Sequence, residues 1–335
     1  MHSIKWKISV LNTAFIVIIL FCSFFVMTTR TIAEESLVID GNGEAMPMQT
    51  LISRSFNIQR PEVKITRVGC IAEQALGRLQ GAKCDILIYN KASYNGTVLK
   101  LQPYLHRNRE PVSGDTEYVK YRIGRFVIQI IVNKNNPVSD LSWEHLRTIF
   151  KCREGVNWSD YGGKKADIII CGERYLSKAY EIYRNMIHAG ANRSKYKELR
   201  NSAAVIKYVA DNPNAIGLCL VGSEPLKGVK AVGLTERKGP VYLPTMMNIH
   251  TDKYRLKQDI WAYPHKKSGQ LAIDYCEFAV GEEVAKLLRT IQFIPEYDRV
   301  KCLSQLRLKE FKAGKGEKLY VVGVGGSSAS GVGGG

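Results

Sequence analysis

Short apolar segments alternate with longer amphipathic segments through the first half of the chain. Residues 37–40 and 85–89 are mostly apolar and, together with residues 63–68, predict strands. The intervening residues 48–60 and 72–79 predict helices, and the first of these carries its apolar side chains on one face. Strands that alternate with helices in this way indicate an α/β lobe with a mostly parallel sheet.

The same alternation continues in the second half. Residues 126–132 predict an apolar strand, and residues 141–150 predict a short amphipathic helix. Residues 202–212 predict a helix that a proline terminates, and residues 215–220 then predict a buried strand. The remaining predicted elements are strands at 167–171 and 259–263, helices at 177–189, 269–279 and 282–290, and a closing segment at 293–295.

The N-terminus has the pattern of a targeting segment. Lys5 and Lys7 precede an almost unbroken apolar run at residues 8–27, which is typical of export through the inner membrane. Small residues that end at Ala33 predict cleavage there, so residues 1–33 are interpreted as a signal peptide. The apolar run is also close to the length of about 20 residues that spans a bilayer, so an uncleaved membrane anchor is the alternative. Either way, we expect the protein in the periplasm or cell envelope.

Charge and cysteine content add little specific chemistry. The formal net charge is +17, but the basic residues are dispersed, which favours a basic soluble surface over a nucleic-acid groove. Seven cysteines follow the targeting segment, and export permits disulfides, although an odd number leaves at least one unpaired within the chain. The histidines show no ligand spacing. We therefore predict no metal, no cofactor and no nucleic-acid partner.

The segment from Val132 to Gly163 has the most informative pattern. An apolar strand runs into a polar turn that ends at Pro137, and an amphipathic helix and a tight Asn157-containing loop follow. This segment resembles the second lobe of the phosphate-binding proteins of bacterial phosphate importers. The helix, proline stop and buried strand at 203–222 resemble the same family, as do the last predicted helices. The resemblance extends over most of the exported chain.

The resemblance implies an α/β, two-lobed type II periplasmic-binding-protein fold. Each lobe would be a mixed, mostly parallel sheet flanked by helices, with a central cleft between the lobes. Lobe 1 is expected to comprise residues 34–125 and 235–312, and lobe 2 residues 126–234. Residues 313–335 are rich in glycine and serine and are interpreted as a flexible tail.

The family binds its anion with helix N-termini and side chains from four places, three of them in lobe 1 and one in lobe 2. Residues 41–47 keep the family's glycines and proline, but the hydroxyl position is Ala45, so only the backbone N–H groups of Ala45 and Met46 remain as donors. At the next helix start, Cys70 replaces the family's serine. Most of the donor side chains expected in this lobe are therefore absent.

The other two places also depart from the family. A carboxylate that accepts a hydrogen bond from protonated phosphate is replaced by Asn90, which weakens the expected preference for a protonated oxyanion. In lobe 2, Ser177 matches the family's serine, while Glu173 takes the position of its arginine and Lys178 that of its glycine. The resemblance implies a ligand site formed by Ala45, Met46, Asn90, Arg174, Ser177 and Lys178.

Two functions remain open. The first is a monomeric extracytoplasmic solute-binding protein that captures phosphate, a related oxyanion or another small anion for an ABC permease in the inner membrane. The second is a non-transport binding, sensor or envelope module on the same fold with a degenerate ligand site. An enzyme is not expected, because no nucleophile–base pair or carboxylate dyad occurs at a useful spacing.

Overall fold

A computed structural model describes residues 35–42, 45–70, 74, 77–79, 81–90, 120–151, 155–175, 177–188, 196–222, 225–235, 239–265 and 267–312. The predicted targeting segment and the predicted tail lie outside these residues. The strands are β1 (Ser36–Asn42), β2 (Lys64–Cys70), β3 (Ile86–Asn90), β4 (Tyr121–Asn133), β5 (Asp140–Ser142), β6 (Ile169–Glu173), β7 (Tyr196–Leu199), β8 (Ala215–Leu220), β9 (Val229–Ala231), β10 (Gly233–Thr235), β11 (Val241–Tyr242), β12 (Lys257–Pro264) and β13 (Ile294–Pro295).

Helices connect most of these strands. The α-helices are α1 (Met46–Gln59), α2 (Trp143–Lys151), α3 (Lys178–Tyr183), α4 (Ser202–Asp211), α5 (Met246–His250), α6 (Gly269–Ala279), α7 (Glu282–Arg289) and α8 (Glu296–Lys312). A 3-10 turn spans Trp158–Tyr161, and α3 continues as a π-helical turn at Arg184–His188. No described helix is both long enough and apolar enough to cross a membrane.

The main sheet has the order β2-β1-β3-β12-β4-β8-β6-β7, with β13 and β9 also paired to β4. β1 is parallel to β2 and β3, and β6 is parallel to β7 and β8. The central strands β12 and β4 are antiparallel to their neighbours. The two parallel sets are therefore joined through an antiparallel centre, and the predicted mixed α/β class is confirmed.

The long strand β4 connects the two parallel sets. Its first part, through Val127, pairs with β12, and its second part, from Ile128 onward, pairs with β8 and β9. Nearly all of β4 is buried, because its apolar residues pack against helices on both faces. A single strand therefore passes from one half of the sheet to the other. The lobe boundaries at 125/126 and 234/235 stay a prediction.

Three predicted elements need correction. β4 begins at Tyr121 rather than at 126, because its first residues pair with β12. Leu141 and Ser142 form a short strand with β10 rather than the first turn of a helix, so α2 starts at Trp143. The expectation that residues 293–295 close the fold is wrong, because the 17-residue helix α8 follows them.

Candidate functional site

The register of three neighbouring strands brings a polar group to the centre of the sheet. Asn90, the last residue of β3, lies opposite Ile260 in β12. Two residues earlier on β12, Gln258 lies opposite Phe126 of β4. Alternate residues of a strand, and residues directly opposite each other on paired strands, share one face of a sheet. Asn90, Gln258 and Phe126 therefore share one face, at the end of β3.

Lys178, the first residue of α3, contacts Phe126 of this group. Its ammonium nitrogen lies 5.4 Å from the centroid of the Phe126 ring, which is within the range of a cation–π contact. The same nitrogen lies 2.7 Å from a carboxylate oxygen of Glu181, and both side chains are mostly buried. The structure thus brings a cation from the start of α3 onto the strand that carries Phe126.

Gln258 was not foreseen from the sequence. The residue is 1% exposed, and neither its Oε1 nor its Nε2 atom has a hydrogen-bond partner within the described chain. Its neighbour Phe126 packs edge-to-face on Phe293, with ring centroids 4.8 Å apart, so the amide has an apolar surface beside it. Inward and outward positions alternate along β12, and Gln258 occupies an inward position where an apolar residue is expected. This polar residue at an inward position is the signal that could have identified it.

Ser177 and Arg174 differ in their placement. The Ser177 hydroxyl oxygen accepts a hydrogen bond from the Tyr180 N–H at 3.1 Å and so caps α3. Ser177 directly precedes Lys178, so both belong to the same corner of the fold. The Arg174 side chain is exposed, and its backbone N–H donates to the Leu199 carbonyl at 2.9 Å. Arg174 is therefore near Ser177 in the chain, but no contact joins it to Asn90 or Lys178 in the described structure.

Glu173 faces away from this group. Its carboxylate accepts a short hydrogen bond from the hydroxyl of Ser202, at the start of α4. The same hydroxyl oxygen accepts the Leu220 N–H at 3.0 Å. Cys171, two residues earlier on β6, packs in the same apolar cluster as α4 residues, which places this face of β6 toward α4. The carboxylate that replaces the family's arginine thus serves to connect β6, α4 and β8.

Ala45 and Met46 lie at the edge where the parallel strands end. β1 is parallel to β3, with Gly41 opposite Ile88, so β1 and β3 end on the same side of the sheet. Ala45 is 4% exposed and directly precedes α1, of which Met46 is the first residue. The first N–H groups of a helix have no partner within that helix, so these two can donate to a ligand.

The donors at the candidate site suit the binding of a solute. The described residues include no group of three or more histidine, cysteine, aspartate or glutamate side chains arranged to hold a metal ion. A lysine ammonium, two amides, a serine hydroxyl and backbone N–H groups are donors suited to the oxygens of a small polar or anionic solute. The mixed sheet crossed by β4, with these donors at the strand ends, defines a solute-binding fold.

Comparison with known proteins supports this assignment. Residues 72–283 match the PBP superfamily domain, and the chain belongs to this superfamily. No curated protein matches the sequence.

Solved structures of phosphate-binding proteins share the fold. An ABC-type phosphate transport receptor from Vibrio cholerae is 18% identical, with a TM-score of 0.59, over 78% of this chain and 99% of that one. A possible phosphate binding protein from Planctomyces limnophilus is 17% identical, with a TM-score of 0.65, over 82% and 98%. PstS from Borrelia burgdorferi is 14% identical, with a TM-score of 0.61, over 78% and 99%. The predicted periplasmic-binding-protein fold is confirmed, and at these identities the likeness is one of fold.

Proposed function

We propose that the protein is an extracytoplasmic solute-binding protein that captures phosphate or a related oxyanion for uptake by an ABC permease. The observation that supports this most directly is that Asn90 and Gln258 share the face of the sheet that carries Phe126, whose ring the Lys178 ammonium contacts. Its role is binding rather than catalysis, it acts as a monomer, and it resides in the periplasm or cell envelope.

Each predicted site residue has a part in this proposal. The Lys178 ammonium supplies the positive charge, and the Asn90 amide and the Ser177 hydroxyl supply neutral hydrogen bonds. The backbone N–H groups of Ala45 and Met46 donate from the start of α1. Arg174 is exposed and approaches the solute from the rim of the site. A hydrogen bond to a charged group contributes about 1.5–3 kcal/mol, so these few contacts are enough for measurable affinity.

A second function is favoured by the charge pattern of the second half. Lys178 is already paired with Glu181, and Glu173 replaces the arginine of the resembling family. Both features reduce the attraction of the site for an anion. They favour a sensor or envelope module whose ligand site has degenerated.

Thermal denaturation of the purified protein with inorganic phosphate, arsenate and sulfate separates the two functions. A ligand that binds the folded state alone raises the melting temperature by mass action. A solute-binding protein shows a concentration-dependent rise with at least one of these anions. A protein whose melting temperature does not respond to any of them is assigned to the second function.

Two substitutions test the second-lobe residues. Lys178→Met and Arg174→Ala remove the two cations that we propose as ligand contacts, and we expect weaker anion binding in both. Lys207→Met is a matched control, because Lys207 is highly exposed on α4 and pairs only with Asp211 among the described contacts. Unchanged anion affinity in both Lys178→Met and Arg174→Ala would discard these residues as ligand contacts.

A further inference from the structure

We infer that Gln258 contacts the bound solute directly and selects an oxyanion that carries a proton, such as hydrogen phosphate, over a fully ionised one, such as sulfate. The inference rests on the proposed function, since it concerns the same site. It assigns the selectivity to a residue of β12 rather than to the four segments that the sequence pattern pointed to.

The Gln258 amide is buried without a hydrogen-bond partner in the described structure. This is true of both of its polar atoms. Buried polar groups in folded proteins are nearly always hydrogen-bonded, and leaving one unsatisfied costs about 1–3 kcal/mol. Exchanging the oxygen and nitrogen of the amide does not change this conclusion, because both positions are unpartnered. An amide held in this way is ready to bond something that enters from outside the chain.

Gln129 shows that burial of a glutamine does not by itself leave the amide without partners. Gln129 is 5% exposed on β4 and lies opposite Cys219, within the apolar cluster that α4 covers. Its Nε2 donates to the carbonyl of Leu220 at 3.4 Å. The two glutamines are therefore buried alike, but only Gln258 lacks a partner on both amide atoms.

The position of Gln258 relates it to both Lys178 and Asn90. Gln258 is directly opposite Phe126, whose ring is contacted by the Lys178 ammonium. On the other side, Gln258 is two residues along β12 from the position opposite Asn90. The unpartnered amide therefore lies between the polar end of β3 and the cation of α3. A solute that reached both Asn90 and Lys178 would lie over Gln258.

The Gln258 amide is complementary to an oxyanion that carries an O–H group. An amide offers hydrogen-bond donors on nitrogen and an acceptor on oxygen. The oxygens of any oxyanion can satisfy the donors, but only a ligand with an O–H group can satisfy the acceptor. Hydrogen phosphate has such a group at neutral pH and sulfate has none. Sulfate would leave Gln258 Oε1 buried and unpaired, which is the usual physical basis of strong discrimination between similar ligands.

The local charge agrees with this selectivity. Lys178 and Glu181 form an ion pair with no net charge, so the pair does not attract sulfate more than hydrogen phosphate, and the discrimination depends on the proton acceptor. The replacement of the family's carboxylate by Asn90 exchanges a charged acceptor for a weaker, neutral one. Gln258 Oε1 adds a second neutral acceptor on the neighbouring strand.

The test is titration calorimetry of the full chain at pH 7 with inorganic phosphate and with sulfate. The variants are Gln258→Met, which keeps the size of the side chain, and Gln258→Leu as a second apolar substitution. We expect each to weaken phosphate binding by about tenfold or more and to change sulfate binding much less, so the phosphate-to-sulfate ratio falls. Gln129→Met is the control and should leave that ratio unchanged.

The melting temperature of the ligand-free protein supplies an independent readout. Removing an unpartnered buried amide should leave it unchanged or raise it, which shows that Gln258→Met folds. An unchanged phosphate-to-sulfate ratio in both Gln258 variants would overturn the inference while leaving the proposed function intact. Wild-type protein that binds neither anion would overturn the proposed function and this inference together.

Discussion

The Lys178 ammonium nitrogen lies 2.7 Å from the Glu181 carboxylate, three residues further along α3. Both side chains are mostly buried, at 13% and 12% exposure, so solvent screens their attraction less than at an open surface. The cation that we propose for the anion site is therefore partly neutralised within its own helix. A bound oxyanion would have to share Lys178 with Glu181.

Neutralising Glu181 should therefore strengthen anion binding. Glu181→Gln keeps the shape of the side chain and removes its charge, so the carboxylate that pairs with Lys178 no longer competes with the solute. We expect the affinity for phosphate to rise on the order of tenfold at low salt. Titration calorimetry at two ionic strengths measures this, and the gain should shrink in high salt. Equal or weaker binding by Glu181→Gln would show that Lys178 does not reach the ligand.

The junction of β4 with α8 depends on a buried arginine. Arg125 is 1% exposed and lies within ion-pair distance of Asp252 (2.9 Å), Asp259 (3.1 Å) and Glu296 (3.6 Å). Leaving a buried charge without any compensating partner costs about 3–5 kcal/mol, but these carboxylates keep Lys257, Arg122 and Arg299 as partners. We therefore expect Arg125→Met to lower the free energy of unfolding, measured in urea, by up to this amount.

Arg60→Met is the matched control for that experiment. Arg60 also has three carboxylate neighbours, but its side chain is 37% exposed and water screens its ion pairs. We expect its loss to change the unfolding midpoint far less than Arg125→Met does. A similar effect of the two substitutions would show that the cluster around Arg125 does not stabilise the fold.

The sequence was sufficient to predict the elements whose ends are marked by neighbouring residues. The predicted bounds of β8 (Ala215–Leu220) and α6 (Gly269–Ala279) agree with the structure residue for residue. β8 is a continuous apolar run that follows a proline turn, and a glycine follows it, so its ends are marked by neighbouring residues. Elements of this kind, in alternation, are enough to predict the α/β class.

The sequence was insufficient where contacts are distant in the chain. α8 begins at Glu296, whose carboxylate pairs with Arg122 of β4 at 2.7 Å, a partner that no local pattern indicates. The sequence shows only that Gln258 is a polar residue. Its proposed role depends on the burial of its side chain, which becomes visible only when β12 is paired with β4. The resemblance to phosphate-binding proteins directed attention to Arg174 and Ser177, and it carried no information on a polar residue in β12.

His250 should make stability depend on pH. It is 4% exposed, and its Nδ1 atom has no hydrogen-bond partner in the described chain. Burial and the nearby Arg125 cation lower the pKa of His250 below its ordinary value of 6.5. Arg299 acts in the same direction, whereas Asp298 and Glu296 oppose the shift.

The sign of the effect follows from proton binding in the two states. Between the lowered folded pKa and about 6.5, the unfolded chain holds more protons at His250 than the folded protein does. The free energy of unfolding is therefore highest above pH 6.5 and falls as the pH drops, by at most about 1.4 kcal/mol per pH unit for one proton. Urea titrations from pH 5 to 8 should show a smaller slope for His250→Gln, and an equal slope would contradict the assignment.

Thiol labelling should distinguish the buried cysteines from the one in α8. Cys171, Cys219 and Cys276 are buried and not disulfide-bonded, and burial raises the pKa of the Cys171 thiol to about 12. The thiolate is the reactive form, so these residues should resist alkylation in the folded protein. Cys302 is partly exposed and should react before these three. Pulsed alkylation followed by peptide mass mapping checks this order, and early modification of Cys171 would contradict it.

Gly124 marks the tightest backbone contact in the central strand. Its φ angle is +152°, and a Cβ atom at this position would lie 2.3 Å from the Ile294 carbonyl oxygen and 2.5 Å from the Phe293 ring. Gly124→Ala would therefore force β13 away from β4, in addition to the backbone strain of a positive φ. We expect a loss of more than about 2 kcal/mol in the free energy of unfolding.

Gly162→Ala separates the backbone strain at Gly124 from the close contact. Gly162 has a φ angle of +81°, but a Cβ atom there would meet nothing within 4 Å, so only the cost of about 1 kcal/mol for a positive φ applies. In urea, the free energy of unfolding of Gly124→Ala should be clearly lower than that of Gly162→Ala. Because Phe293 also packs on Phe126, displacement of β13 should disturb the surface beside Gln258 and weaken anion binding in Gly124→Ala alone. Equal stability of the two variants would mean that β13 can move away from β4 without cost, and that the close packing around Gly124 does not support the site.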